Sequence, residues 1–336
     1  MGGGLMTDLS AQIEGDFIAM LDEWHSLPEA WDNALDAQIA KWYSNPPTVW
    51  PERDAPYFSP SAATKCPREL YMKAIKAPKD VVTKQPHQSR WQGIGTVIGD
   101  YIQREILAIE RNFEKLTGNK PRFTFERNAD GTPMFEEFAK RNKLVEHNGE
   151  RFYLYGAPDG IMRYITDDGE IVRVGLEIKS KQQSPSKTSR KSMKQADQTH
   201  EIQTALYAHM YNVDYYVILY VNGSKRDWHM TPEEYANFPD IRAFCRRITD
   251  VDRAPIFDKF AAITKALREK VPPAMNLDEF RFNDYKTACA LSLTDEEYAD
   301  IVAVNERLQH SNLIDWKKRQ HAEAVEFITE VRKGTV

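Results

Sequence analysis

The sequence predicts an α/β protein: a mixed central sheet of four or five strands flanked by helices, with helical additions at the N- and C-terminal ends. Three observations predict it. Strand-type alternation and β-branched or aromatic runs concentrate between residues 123 and 230, and a period of two marks pleated backbone. Apolar residues spaced by three or four bracket that stretch on both sides, which is helical spacing. A further helical segment, Gln198–Tyr211, lies between two of the strands, so strands and helices alternate as they do in α/β cores.

Composition agrees. A chain of 336 residues suits one large domain or a core with an appended lobe, and 41% hydrophobic with 11% aromatic residues is enough to fill a core. The net charge of −5 advertises no polyanion binding, so contact with nucleic acid would fall to local basic patches. The three cysteines, Cys66, Cys245 and Cys289, form no Cys-x-x-Cys motif. That argues against a zinc ribbon or disulfide framework and fits reduced thiols. With no run of eighteen apolar residues and no secretory signal, the expectation is a cytoplasmic protein away from membranes. Gly2 is followed by Met6 where N-myristoylation wants Ser or Thr.

In chain order, residues 7–44 predict a helix whose apolar face holds Leu9, Ile13, Phe17, Met20, Leu21 and Trp24. Pro46, Pro47, Pro51 and Pro56 break it. Ser59-Pro60-Ser61 reads as a Ser-capped helix start, leading to Cys66-Pro67-Arg68-Glu69-Leu70-Tyr71. A polar loop over 78–88 precedes a helix from Trp91 to Leu116. Strands are predicted at Phe123–Arg127, Arg151–Ile165, Ile171–Ser180 and Tyr215–Val221. Asp167-Asp168-Gly169 is a turn, and Asn222-Gly223 predicts a hairpin returning through Asp227–Met230. From Asp252 the chain reads as helices, one opened by the capping box Thr294-Asp295-Glu296-Glu297.

The chemistry concentrates on one hairpin. A three-residue turn centred on Asp168 sets Asp159 opposite Glu177, each nine residues from the centre. Directly facing residues have Cβ atoms about 4.5–5.5 Å apart. Lys179 lies two residues past Glu177 and so shares its face. Two carboxylates side by side repel unless compensated, and hard oxygen ligands suit Mg²⁺ or Mn²⁺. Such a cation could activate water for phosphodiester hydrolysis, with Lys179 positioning the water or countering developing charge. On spacing alone, a solvent-facing hairpin with a Glu–Lys pair fits equally well.

Asp159 in one strand, Glu177-Ile178-Lys179 in the next, then Gln203-Thr204-Ala205-Leu206-Tyr207 on a helix resembles the PD-(D/E)XK nucleases. The likeness is to the branch holding RecB-type nuclease domains, CRISPR-associated exonucleases and phage recombination exonucleases. Ser59-Pro60-Ser61 with Cys66-Pro67-Arg68 resembles the start of the nuclease unit in that branch, and the resemblance covers roughly residues 58–230. It implies a restriction-endonuclease-like core over 58–250, an N-terminal helical extension over 1–57 and a C-terminal helical region over 251–336. It implies metal ligation by Asp159, Glu177 and the Ile178 carbonyl, with Gln203 orienting the site and Tyr207 contacting the DNA backbone or Lys179. A plain amphipathic helix with half-buried tyrosines is the alternative for Gln203 and Tyr207, as it is for His200.

Two departures from the pattern stand out. Relatives often hold an iron–sulfur cluster on four cysteines; here only Cys66 is in place, so no cluster is expected and Cys66 should pack as a small apolar residue. Relatives also carry a helix histidine in a Gly-x-x-x-His setting, whereas Gly95-Thr96-Val97-Ile98 is followed here by Gly99. Asp100 or Glu105 could replace that ligand, or be ordinary surface acids.

Between residues 179 and 194 stand six basic residues (Lys179, Lys181, Lys187, Arg190, Lys191 and Lys194) and no acid. They would contact phosphates without reading sequence, on a flap that orders on DNA; a solvated loop with no role is the alternative. Arg68 and Lys225 are further backbone-contact candidates. The expectation is a metal-dependent exonuclease acting in recombination, repair or phage DNA replication, in a bacterial or phage-infected cytoplasm. Its partner would be DNA, as ends, duplex or single strand; a recombination or replication protein and a second copy of the chain stay open. The rivals are a structure-specific or nicking endonuclease and an idle protein that binds DNA ends.

Overall fold

Helix formation at the N-terminus follows the apolar spacing but stops sooner than the sequence suggests. The computed structural model describes residues 8–334, so Gly2 and Met6 lie outside the described residues. In place of one helix over 7–44 there are two, α1 (Ser10–His25) and α2 (Asn33–Tyr43). The side chain of Asp32 caps α2 by accepting from Leu35 N, so a new helix starts where a single one was expected. Next come β1 (Tyr57–Phe58), a 3-10 turn at Pro60–Ala62 and α3 (Pro67–Ala74). Ser59 makes no capping bond; its hydroxyl sits 3.1 Å from that of Ser61. Then follow α4 (Pro86–Thr117), β2 (Phe123–Phe125), α5 (Glu136–Ala139), β3 (Arg141–His147), β4 (Glu150–Gly156), β5 (Gly160–Ile165) and β6 (Ile171–Lys181). The chain continues through α6 (Gln198–Tyr211), β7 (Tyr215–Asn222), α7 (Pro232–Asn237) and β8 (Ile241–Arg247). It ends in α8 (Asp250–Glu269), α9 (Lys286–Leu291), α10 (Asp295–Gln309) and α11 (Asp315–Lys333).

Two predicted strands need correction. Arg151–Ile165 is not one strand. Pro158 has no N–H to give a ladder, and the chain breaks there into β4, in a sheet ordered β1-β4-β3, and β5, in a sheet ordered β2-β5-β6-β7-β8. The partner returning beside β7 is β8, not Asp227–Met230. Thr231 and Glu234 form a reciprocal capping box that starts α7, and this postpones the return strand.

The described chain divides into two compact units, each built from separated segments. The first comprises the described part of residues 1–50 with Lys84–Lys143 and Tyr155–Arg253, and the second comprises Pro51–Thr83, Leu144–Leu154 and Ala254–Val336 as far as described. The first unit holds the five-stranded sheet. β5 and β6 are antiparallel, β6 and β7 parallel, β7 and β8 antiparallel. This mixed sheet, packed by α1, α4 and α6, is an α/β core. All eight residues of β7 are buried, as expected of a strand covered on both faces. Tyr215, Val217, Leu219 and Val221 join Val174, Leu176 and Ile178 of β6 in the main core with α1 and α4. Glu177 and Lys179 therefore point to the other face, where they pair in register with Ile218 and Tyr220.

The second unit has its own core, including Leu277, Phe280, Ala290, Val325 and Ile328. Thr294 and Glu297 form the predicted capping box at α10. Cys66 and Cys289 are buried here; Cys66 Sγ accepts from Asn276 N at 3.3 Å and Cys289 Sγ from Asn283 Nδ2 at 3.5 Å. Burial pushes the Cys289 thiol up to about 12. Cys245 lies on β8 of the first unit. Among the described residues, no helix is long and apolar enough to cross a membrane.

Candidate active site

The β5–β6 hairpin builds the site from its turn upward. Thr166 N donates to Glu170 O at 3.0 Å around residues 167–169, with Gly169 at φ +85°. That turn sets the register Ile165↔Ile171 through Gly160↔Leu176. Asp159, one residue before β5, falls opposite Glu177, and its Oδ2 accepts from Ile178 N. Glu177 is 3% exposed. Its Oε1 accepts from Lys179 Nζ at 2.6 Å and from Gln203 Nε2 at 2.9 Å, while Lys179 Nζ donates to Gln203 Oε1 at 3.2 Å. Glu177, Lys179 and Gln203 thus close a ring of charge-assisted bonds. Asp159 Oδ1 and Glu177 Oε2 have no hydrogen-bond partner among the described residues.

Electrostatics set these acids apart. Burial, then the charge of Glu177, holds the Asp159 carboxyl well above the ordinary carboxylate range, against the Ile178 N–H and Lys179. Burial also raises Glu177, opposed by Lys179 and Gln203. Two acids share one ammonium, so with both ionised the site keeps one uncompensated negative charge.

Sequence reasoning missed two residues beside the pair. Gln103 of α4 is 2% exposed; its Nε2 donates to Asp159 O at 2.9 Å, and its buried Oε1 has no partner. Glu136 opens α5 at φ +44°, with its N–H on Pro158 O at 3.0 Å and its Oε2 accepting from Tyr43 at 2.9 Å. Burial raises its carboxyl, and the neighbouring Asp100 raises it further. Asp100, Gln103, Tyr43 and Glu136 line one cavity of about 610 Å³. Helical spacing from Asp100 could have pointed to Gln103 three residues on. Nothing local marks Glu136, which arrives through the fold.

Other predicted residues land differently. Glu105 is turned toward α1: it accepts from Trp24 Nε1 at 2.6 Å and sits 3.6 Å from His25 Nε2. Two residues past Gln103 is about 200° around the helix, so Glu105 does not reach Asp159. Tyr207 is buried and donates to Ala157 O at 2.6 Å, so it braces the Pro158 loop instead of facing DNA or Lys179. Arg68 is 1% exposed in the second unit, with Nε on Pro273 O at 2.7 Å, Nη1 on Ser292 Oγ at 3.1 Å and Nη2 on Glu297. It is a buried structural cation and offers nothing to a phosphate.

The basic segment is anchored, not a free flap. It contains a 3-10 turn at Pro185–Thr188, and Asn222 Nδ2 donates to Ser184 O at 2.9 Å and Thr188 Oγ1 at 3.0 Å. Arg190 N donates to Asn237 O at 3.1 Å. Lys181 stacks its ammonium 5.0 Å from the Tyr220 ring, and burial lowers its pKa. Lys187, Arg190, Lys191 and Lys194 are exposed, whereas Lys225 is paired with Asp240. His200 Nδ1 lies 2.9 Å from Tyr220 OH, which accepts from Asp197 N at 2.8 Å. Burial, then Lys179, lowers His200 to about 4.

No family model matches the chain, and no curated protein does. Among solved structures it is similar to the protein SSO0001, at 12% identity and TM-score 0.39 over 77% of this chain and 96% of that one. It is similar to an alkaline exonuclease (LHK-Exo) from Laribacter hongkongensis, at 13% identity and TM-score 0.34 over 64% and 89%. A phage related exonuclease from Haemophilus somnus 129PT matches at 11% identity and TM-score 0.25 over 50% and 82%. Similarity at this level does not transfer an activity.

Proposed function

We propose that this protein is a Mg²⁺- or Mn²⁺-dependent deoxyribonuclease that digests DNA from its ends, in recombination, repair or phage replication. The observation that carries the reading is the pairing of Asp159 and Glu177 across β5 and β6, with Lys179 and Gln203 both bonded to Glu177. The donor set fits a hard dication: two carboxylates with open oxygens, the Ile178 carbonyl next to Glu177 in sequence, and the unpartnered Gln103 Oε1 close by. Such an ion would lower the pKa of water and offset charge on the phosphoryl oxygens. Gln203 holds Glu177 and Lys179 in place, and Lys179 offers an ammonium to the developing negative charge. Tyr207 fixes the Asp159 loop from behind.

The test uses end-labelled linear duplex, single-stranded DNA and a closed circle, each with Mg²⁺, Mn²⁺ or EDTA, with Glu177→Ala alongside. Digestion of linear DNA alone, only with metal and lost in the variant, is the expected result. Cutting of circles would favour an endonuclease. Binding of ends without cutting, by the unmodified protein in metal, would leave an idle end-binding protein.

A further inference from the structure

Parallel pairing of β6 with β7 brings the segments that leave both strands to the same end of the sheet, with Lys179 opposite Tyr220 and Lys181 opposite Asn222. The two loops are joined there. Gly223 N donates to Lys181 O at 2.8 Å, Ser224 Oγ to Gln182 O at 2.9 Å, and Asn222 to Ser184 and Thr188. Pro185 and Thr188 from one loop and Ser224, Lys225, Arg226 and Trp228 from the other line one cavity of about 280 Å³. Trp228 is 92% exposed. It is held on a braced stretch: His229 N donates to Asp227 Oδ1 at 3.1 Å, and the Thr231–Glu234 capping box follows. Backbone braced in this way needs little further ordering when something stacks on the indole.

The cavity itself carries mixed charge, with Asp227 and Asp240 beside Lys225 and Arg226, and the surplus of cations lies on the basic loop. Lys187, Arg190, Lys191 and Lys194 are exposed and have no ion pair among the described residues. Lys225 and Arg226 are matched by Asp240 and Glu234 and do not add to the surplus. Cations on one loop, with Lys187 in the Pro185–Thr188 turn that borders the cavity, and an exposed indole on the other match a chain with phosphates on one edge and π-faces on the other. A duplex hides its base faces, except at an end; a single strand presents them.

We propose that this two-loop face binds a single-stranded nucleic-acid segment, with Trp228 stacked on one base and Lys187, Arg190, Lys191 and Lys194 tracking the backbone. The inference deepens the nuclease reading by naming unpaired strand as the form delivered to Lys179, which lies two residues before Lys181 on the same strand.

The experiment measures binding of labelled oligo(dT) and of a blunt duplex of equal length, in EDTA so that nothing is cut. Trp228→Ala should weaken oligo(dT) about tenfold, and Trp228→Phe should restore most of the loss, because base stacking on an aromatic ring is tolerant of ring type. Blunt duplex should bind with little change. Replacing Lys187, Lys191 and Lys194 together by Ala should flatten the log–log salt dependence by about 2, from about 0.7 per phosphate contact on single strands. Unchanged oligo(dT) affinity in Trp228→Ala, or an equal loss on duplex, overturns the proposal. Its failure is separable from that of the activity: digestion with no role for Trp228 in binding sinks the inference alone. Trp228-dependent binding with no metal-dependent cutting sinks the nuclease reading alone.

Discussion

Asp159 carries the largest electrostatic cost in the site, and its behaviour without metal can be worked out in sign. Its folded pKa stands above the unfolded value, so the native state holds the extra proton, and stability falls as pH rises through the folded pKa. Asp159→Asn should therefore raise the melting temperature in EDTA at neutral pH while abolishing cleavage, and Mn²⁺ should stabilise only the unmodified protein. A thermal melt with and without Mn²⁺ reads both effects; a lower melting temperature for the variant in EDTA would contradict the account. His200 runs the opposite way. Lowered to about 4 from an unfolded value of about 6.5, it costs stability as pH falls from about 6.5 to about 4, where the unfolded chain binds more protons. His200→Gln should flatten the pH dependence of the melt in that window without shifting it at pH 8. Gln203→Ala removes the bonds that orient Glu177 and Lys179 and should cost about 10–100-fold in kcat or metal affinity.

At the scale of elements, the hairpin was legible because its rules are local. A turn centred on Asp168 and a side-chain period of two together place Asp159 opposite Glu177, and the register observed is that one. The α6 segment was legible to the residue, since its helical spacing is uninterrupted and Asp197 caps it. The strand pattern over Arg151–Ile165 misled because alternation does not show which sheet a residue joins, and Pro158 divides it between two. β8 was missed because only Ile241 and Ala243 of its seven residues are buried and its pairing with β7 is set at a distance. Close approach inside the sheet adds a test. A Cβ on Gly175 would lie 2.1 Å from the Tyr216 ring, so Gly175→Ala should destabilise by about 1–3 kcal/mol in urea unfolding. A stability unchanged within error would mean that Tyr216 can move aside.

For the whole molecule, the contrast between Arg68 and the exposed lysines separates structure from DNA contact. Arg68→Ala strands the Pro273 carbonyl, Ser292 and Glu297 in the second unit, and should cost about 3 kcal/mol of stability without altering the salt dependence of DNA binding. A changed salt slope in that variant would reinstate it as a phosphate contact. The sequence by itself determined the class of fold, the Asp159–Glu177–Lys179 face and the helix that brings Gln203, because each depends on periodicity, a turn or a cap within a few residues. Only the tertiary structure decided that Gln103 and Glu136 stand beside Asp159, that Glu105 and Arg68 are tied up elsewhere, and that Trp228 shares a surface with the basic loop. Those placements depend on strand order and on helices packed across the sheet. Contacts between residues tens of positions apart in sequence leave no spacing for a local pattern to reveal.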